Sequence, residues 1–172
     1  MRRLFAWRAF VSAVLVTATV SGCGYHFAGS GSLPDGVSRL CVAVPGNRSS
    51  DVRLAPRVAS SVVSEAIAAG SDAAVGCTGD AGVLDGEILS VSASTITRNS
   101  DGDGIEERVT ITASFRLAGD EGAVIWRGTS VTGTETYSVT PGMDSTAARS
   151  AALELAADDL AENIWAGLTQ RF

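Results

Sequence analysis

The chain of 172 residues contains no lysine, one histidine and three cysteines, and its 19 acidic residues outnumber 13 arginines, which gives a formal charge of −6. This acidic balance argues against a nucleic-acid-binding protein, which needs a basic face to neutralise phosphates. With one histidine and three cysteines, the chain has few side chains that could form a histidine-based catalytic site or bind zinc. Since the sequence offers no nucleophile–base pair either, we predict no enzyme activity, no catalytic residue, no metal and no cofactor.

Long apolar runs are also missing. The run from Ala9 to Val20 has 12 residues, whereas a helix that spans a bilayer needs about 20. It follows Arg2, Arg3 and Arg8, and a positive segment before a short apolar core is typical of a secretory signal peptide. The glycines that come next argue against the alternative, an uncleaved membrane anchor. We therefore predict that residues 1–22 are a signal peptide that is removed.

The residues at the predicted cleavage site resemble a bacterial lipobox, Val20-Ser21-Gly22-Cys23. In such lipoproteins the cysteine thiol is diacylated, the chain is cut before it, and the new amino group receives a further acyl chain such as palmitate. Two hydrophobic signals already suffice for stable anchoring, so we expect Cys23 to hold the protein at a membrane. Gly24, where an Asp would signal retention at the inner membrane, favours the outer membrane with the domain facing the periplasm. The alternative is an ordinary signal peptide with a coincidental cysteine.

The remaining chain divides into a tether and one domain. Three arginines are lost with residues 1–22, which lowers the formal charge to −9. Residues 23–37 are rich in glycine and serine and form the predicted lipidated tether. Residues 38–172 contain no repeat and no low-complexity block, and we predict a single domain.

The first part of this domain has a strand–helix–strand pattern. Residues 39–45 are a short apolar run that suits a buried strand. Residues 54–70 repeat apolar side chains with helical spacing, with a candidate N-cap within residues 49–51 and Gly70 as the residue that ends the helix. Residues 73–77 can form a second short strand, and this order predicts a parallel crossover.

Three longer extended segments follow, at 83–97, 108–117 and 123–137. Strong turn signals lie between them, so they predict an antiparallel meander, bent in its last strand near Gly128 or Gly133. The middle segment alternates most regularly, and its apolar side is formed by Val109, Ile111, Ala113, Phe115 and Leu117.

A final helix is predicted after Pro141-Gly142, capped by Asp144 or Ser145. Its apolar stripe consists of Leu153, Ala157, Leu160, Ile164 and Leu168. The fold class that follows is α+β: a two-layer sandwich in which a mixed four-stranded sheet with a long antiparallel meander is covered on one face by two helices.

The order of several short motifs resembles the LPS-assembly lipoprotein family, LptE. The residues that carry this resemblance are Cys23-Gly24-Tyr25-His26-Phe27, Leu33-Pro34-Asp35-Gly36, the Asn47 to Pro56 helix start, Val124-Ile125-Trp126, Glu135 with Tyr137, and Leu160-Ala161. The similarity covers essentially the whole chain after the signal peptide. No single motif is specific, so the combined order carries the resemblance.

The resemblance implies a function and a set of partners. Proteins of this family are non-enzymatic outer-membrane lipoproteins that plug the LptD β-barrel, help it to assemble and take part in passing lipopolysaccharide to the outer leaflet. An alternative is a free, periplasm-facing lipoprotein that binds another envelope partner or a small apolar ligand.

The turn between the first two long strands contains the candidate ligand residues. Arg98 and Asn99 end one strand and Arg108 opens the next, so we expect the two arginines to lie close together across the hairpin. The resemblance implies that a basic residue at this strand end contacts lipopolysaccharide, and guanidinium groups suit its phosphates and carboxylates. The alternative is a solvated turn in which the arginines pair with the neighbouring acids, which are Asp101, Asp103, Glu106 and Glu107.

Two cysteines remain once Cys23 is acylated. Cys41 and Cys77 lie on the two predicted strands joined by the first helix, and an oxidising compartment allows a disulfide between them. Closing a loop of this length stabilises a fold by about 3–4 kcal/mol in the chain-entropy model. The alternative is two buried thiols that behave as small apolar side chains.

Overall fold

The computed structural model describes residues 33–34, 37–76, 81–119 and 122–170. Within these ranges the chain forms six strands and two helices. In chain order they are β1 (Arg39–Val42), β2 (Gly46–Asn47), α1 (Leu54–Ala68), β3 (Asp72–Val75), β4 (Gly82–Arg98), β5 (Gly104–Ala118), β6 (Val124–Ser138) and α2 (Thr146–Thr169).

The strands form one mixed sheet covered by the two helices. Five strands lie in the order β3-β1-β4-β5-β6, and the short β2 pairs with β4. β1 runs parallel to β3 and β4, whereas β4, β5 and β6 form an antiparallel meander. α1 packs against β1 and β3, α2 packs against β5 and β6, and the helices contact each other. The predicted α+β class, parallel crossover and meander are therefore confirmed, in a sheet wider than the four strands expected.

Part of this difference in strand number arises around Pro45. The run predicted as one strand ends at Val42, and Gly46–Asn47 then pairs with a later part of β4. A proline has no N–H to donate to a strand ladder. The chain makes backbone hydrogen bonds to β4 on both sides of it, from Ala43 and from Arg48, so the interruption produces a second short strand.

The core lies between the sheet and both helices, and β5 and α2 contribute many of its buried residues. All five residues predicted on the apolar side of β5 are buried: Val109, Ile111, Ala113, Phe115 and Leu117. All five residues of the predicted α2 stripe are buried as well: Leu153, Ala157, Leu160, Ile164 and Leu168. Full burial of a leucine or isoleucine contributes about 1.5–3 kcal/mol. This packing is therefore a main source of stability.

The helix ends follow the predictions only in part. α1 ends at Ala68, and Gly70 terminates it as expected. Gly70 has a φ of 84°, and residues 70 and 71 donate backbone hydrogen bonds to the last helical turn. The N-cap of α2 is Ser145, one of the two residues predicted, whereas the N-cap of α1 is Arg53 and not a residue within 49–51; neither makes a side-chain cap bond. Instead, Asp51 accepts a hydrogen bond from the Arg53 N–H at 3.1 Å and Asp144 accepts one from residue 146. These carboxylates stabilise the turn that leads into each helix.

Asp158 of α2 joins the two helices. Its carboxylate accepts hydrogen bonds from Arg57 Nη2 at 2.7 and 2.8 Å and from Ser61 Oγ at 2.7 Å, both on α1. The ion pair is half-exposed, and such pairs contribute about 0–1 kcal/mol. Ser61 is buried, and its hydroxyl lies 2.7 Å from Asp158 and 3.1 Å from the Arg57 carbonyl. Asp158 therefore contacts two residues of α1 one turn apart, which aligns the helices.

α2 lies directly on the backbone of β6 at Gly133. A Cβ atom at this position would lie 2.2 Å from the Ala156 carbonyl oxygen and 2.5 Å from Leu160. Only glycine allows this approach. The strand is also irregular between Gly128 and Val131, where its pairing with β5 shifts in register, as expected for a bent last strand.

Tyr137 closes the far end of the core. It pairs in register with Glu107 of β5, and its hydroxyl donates a hydrogen bond to the Glu107 carboxylate. Burial raises the pKa of Tyr137 to about 12, with further increases from this hydrogen bond and from the negative charge of Glu107. The neutral phenol is thus the form that the fold stabilises.

Substitution of Gly133 by alanine should weaken the fold. The added methyl group cannot be accommodated without moving α2 away from β6, so we expect the free energy of unfolding to fall by about 1–3 kcal/mol. Chemical denaturation measures this change. Gly46→Ala is the control, because its methyl group would meet only the flexible Glu87 side chain at 3.3 Å. Equal losses in the two variants would contradict the close helix–strand contact.

Tyr137→Phe should destabilise the protein at neutral pH by about 1–2 kcal/mol, because Glu107 loses its donor. The pKa in the fold lies above that of an exposed tyrosine. The stabilisation is therefore complete below pH 10 and is lost as the pH rises from 10 to 12. Urea unfolding between pH 8 and 11.5 should show this loss in the parent chain and not in the variant. In a Tyr25→Phe background, where Tyr137 is the sole tyrosine, a phenolate absorbance midpoint near 10 would contradict the assignment.

Candidate ligand site on the meander

Asn99 organises the turn between β4 and β5. Its side-chain oxygen accepts hydrogen bonds from the N–H groups of Asp101 at 3.0 Å and Asp103 at 2.8 Å. Its backbone N–H donates to the Asp103 carbonyl at 2.9 Å, and Gly102 adopts a φ of 89°. The Asn99 side-chain oxygen is therefore engaged inside the turn, which makes this residue a support for the site.

Arg98 lies beside this turn with most of its guanidinium free. Its Nη1 donates to the Gly102 carbonyl at 2.8 Å, and the side chain is exposed. Among the residues that the structure describes, neither Arg98 nor Arg108 forms an ion pair. The alternative in which these arginines pair with the acids of the turn is therefore not the arrangement observed.

Arg98 and Arg108 do not lie close together, and the expectation that they do is wrong. β5 begins at Gly104, which pairs with Arg98, whereas Arg108 pairs with Ser94 of β4 and Thr136 of β6. Four residues of strand separate the two positions by about 13 Å. The turn is shorter than the sequence indicated, because Ile105 to Glu107 belong to the strand. The two arginines therefore occupy separate positions along the meander.

The acids near the hairpin fall into two pairs. Glu106 accepts a hydrogen bond from the Thr97 hydroxyl at 2.6 Å, and Glu107 accepts the one from Tyr137. Asp101 and Asp103 are exposed at the tip. A negative tip therefore lies beside Arg98, while Arg108 lies along the strand away from it.

Arg108 belongs to a polar surface that the sequence reasoning did not identify. On the side of the meander away from the helices, three strands place serine and threonine hydroxyls in register. This hydroxyl face consists of Ser90, Ser92 and Ser94 of β4, Thr110, Thr112 and Ser114 of β5, and Thr132, Thr134 and Thr136 of β6. The signal was present as alternate serines and threonines in all three of the long predicted strands. Hydroxyls around a guanidinium can bind a sugar or a phosphate.

A second arginine pair lies at the other end of this face. Arg116 and Arg127 are in register across β5 and β6, and Arg116 donates to both oxygens of Asp85 at 2.7 and 3.0 Å. Arg127 is exposed and has no ion pair within the described part of the chain. The two arginines border a shallow depression of about 430 Å³ together with Glu87 and Ser114.

Cys41 is held in a disulfide. It lies on β1 opposite Ala74 of β3. Its expected partner Cys77 lies outside the described residues, as do Cys23, the lipobox and most of the tether, so the Cys41–Cys77 pairing and the lipidation at Cys23 stay predictions.

Over residues 33–34, 37–76, 81–119 and 122–170, no group of three or more His, Cys, Asp or Glu side chains is arranged to hold a metal ion. Neither α1 nor α2 has the length and apolar character needed to cross a membrane.

The chain is similar to several solved structures at low sequence identity. A Xanthomonas campestris protein has a TM-score of 0.50 at 15% identity, over 78% of this chain and 85% of its own. A minor lipoprotein from Acinetobacter baumannii has a TM-score of 0.49 at 18% identity, over 74% and 90%. The rare lipoprotein B from Shewanella oneidensis has a TM-score of 0.43 at 16% identity, over 72% and 92%. No curated protein matches the sequence significantly.

The family comparison is more specific than the structural one. The model of the LptE family, described as lipopolysaccharide-assembly, matches residues 37–167. This range contains all six strands and nearly all of α2. The match confirms the resemblance found in the order of the sequence motifs, and the chain belongs to the LptE lipopolysaccharide-assembly family.

Proposed function

We propose that this chain is a lipid-anchored outer-membrane subunit that plugs and helps to assemble an LptD-type β-barrel and takes part in delivering lipopolysaccharide to the outer leaflet. The match of the LptE family over residues 37–167 carries this proposal. The lipobox at Cys23 supports the anchor. In this proposal, residues 1–22 are removed, residues 23–37 form the lipidated tether, residues 38–172 form one domain, and the protein is not an enzyme.

The charge distribution indicates where an anionic lipid can be bound. The chain is acidic overall, so it repels lipopolysaccharide at a distance. Arg98 and Arg108 are exposed and free of ion pairs among the described residues. Their guanidiniums suit the phosphates and carboxylates of a glycolipid. The hydroxyls around Arg108 provide hydrogen bonds to sugar.

Isolation from the native host tests the partner. Mild detergent extraction of the lipidated protein should recover a complex with a large outer-membrane β-barrel in a 1:1 ratio, measured by mass spectrometry of the intact complex. Recovery of the protein alone, or with a different envelope protein, would favour the free lipoprotein instead. A Cys23→Ala variant with a heterologous signal peptide separates anchoring from complex formation, because the soluble domain should still bind the barrel.

Charge reversal tests the ligand residues. Arg98→Glu and Arg108→Glu should each weaken lipopolysaccharide binding about tenfold, because each loses charge-assisted hydrogen bonds and adds a repulsive carboxylate. The two effects should add in the double variant, since the residues share no partner. Isothermal titration with purified lipopolysaccharide measures the affinity. Arg53→Glu is the control, because Arg53 is exposed at the start of α1 and its side chain donates to Ser150, away from the meander. Unchanged binding in both variants with an intact fold would exclude this site.

A further inference from the structure

Two arginines lie side by side on the polar side of the meander. Arg116 of β5 and Arg127 of β6 are directly opposite each other in register, and both are exposed. Like charges in directly opposite positions of a sheet repel each other. On its other side Arg116 lies opposite Asp85 of β4, to which it donates hydrogen bonds at 2.7 and 3.0 Å. One carboxylate thus compensates only one of the two guanidiniums.

The guanidinium of Arg127 makes neither an ion pair nor a hydrogen bond with any residue that the structure describes. The other nearby acid, Glu87, is already engaged, because Arg48 donates to both of its oxygens at 2.7 Å. Arg116 uses Nε and Nη2 for Asp85, which leaves its Nη1 for another acceptor. The surface therefore carries one uncompensated positive charge, with N–H donors left on two neighbouring arginines.

The arginines border the depression of about 430 Å³ at a point where both outer strands are irregular. Leu89 is an unpaired extra residue of β4, and residues 129–130 of β6 together lie opposite the single residue Ser114 of β5. Bulges of this kind are over-represented beside functional sites, where they redirect side chains. Here two bulges flank the same part of β5, and Leu89, Ser114 and Thr129 all line the depression.

The side chains around the depression suit a sugar that carries an acidic group. Guanidinium groups bind carboxylates and phosphates through paired N–H donors. The hydroxyls of Ser114 and Thr129 can exchange hydrogen bonds with sugar hydroxyls, and the half-buried Leu89 offers apolar surface to the C–H groups of the ring. The volume lies within the range of about 300–1,000 Å³ that is typical of small-molecule sites.

We propose that this depression binds one acidic sugar, a ring that carries a carboxylate or a phosphate, with the acidic group between Arg116 and Arg127 and with Asp85 holding Arg116 in place. The bound anion supplies the negative charge that the arginine pair lacks. The site is separate from Arg108, which lies about 27 Å from Arg116 along β5. The same acidic group can come from a free sugar or from the sugar chain of a glycolipid. The inference goes beyond the function proposed above and does not depend on it.

Titration of the full lipidated protein in detergent with small probes tests the site. Glucuronate and glucose 6-phosphate should bind, and glucose, which has no acidic group, should bind about tenfold more weakly. Inorganic phosphate should bind about fivefold more weakly than glucose 6-phosphate, because it lacks the ring that contacts the hydroxyls and Leu89. Isothermal titration at low ionic strength measures these affinities, since salt screens exposed charges. Equal affinities for phosphate and glucose 6-phosphate would show attraction of any anion and would overturn the proposal.

Arg127→Gln should weaken glucuronate binding about tenfold, because the uncompensated charge is lost. Without a probe this variant should be at least as stable as the parent chain, because the repulsion from Arg116 is removed. Arg53→Gln, an exposed position at the start of α1, is the matched control and should leave binding unchanged. A lower midpoint of chemical denaturation in Arg127→Gln would indicate a structural role. That result, or unchanged glucuronate binding, would contradict the proposed site.

A second variant tests the site without removing an arginine. Thr129→Glu places a carboxylate of the protein beside Arg127 and should abolish binding of both acidic probes. Thr140→Glu makes the same change at an exposed position outside the depression and should not affect binding. Equal effects of the two substitutions would show that only the net charge matters, which would also exclude the site.

Competition separates the two sources of the sugar. Displacement of glucuronate by purified lipopolysaccharide from the Arg98→Glu, Arg108→Glu double variant would identify the sugar chain of a glycolipid, and absence of displacement would identify a free acidic sugar. Both results retain the site. If instead the function proposed above fails, because no barrel is recovered or lipopolysaccharide does not bind at Arg98 and Arg108, binding of glucuronate should be unchanged.

Discussion

The direct contact between α2 and the backbone of β6 is the constraint on which the rest of the domain depends. Gly133 lets the helix approach until Leu160 and the Ala156 carbonyl lie against the strand. At this distance the apolar stripe of α2 reaches the buried side of β5, and Asp159 and Asn163 reach the peptide groups of the β6 edge. One contact thus places the core, caps an edge and leaves the opposite face of the meander without a helix among the described residues.

The parts of the fold that follow from side-chain periodicity could be predicted from the sequence. The alternation in β5 and the stripe of α2 each reflect one buried face, and a slip of one residue would expose it. Strand ends and cross-strand neighbours could not be predicted in this way. Irregularities between Ile88 and Ser90 and between Thr95 and Thr97 shift the register of β4, and such bulges leave little trace in composition. For this reason we predicted from the sequence that Arg98 and Arg108 lie close together, whereas about 13 Å of strand separates their positions in the structure.

The hydroxyl face is a surface that the residue pattern within each single strand does not reveal. Serines and threonines on the polar side of a strand are usually interpreted as solvent-exposed residues without a specific role. The observed register shows that three strands place them side by side around Arg108. Of the four arginines on β4, β5 and β6, only Arg116 forms an ion pair in the described part of the chain. Arg108 and Arg127, which are both exposed, therefore give the polar side of the meander local positive charge in an acidic protein, which is the distribution needed to attract an anionic ligand to a defined place.

The hydroxyl face is separate from the contacts that hold the sheet and the core together. Ser90, Ser92 and Ser94 direct their side chains perpendicular to the sheet, whereas the ladder between β4 and β5 uses peptide groups that lie in its plane. The buried side chains of β5 lie on the other side of the strand. A substitution at Arg108 or at a neighbouring hydroxyl therefore changes what this surface can bind without removing a contact of the core, so binding and stability can be changed separately in this domain.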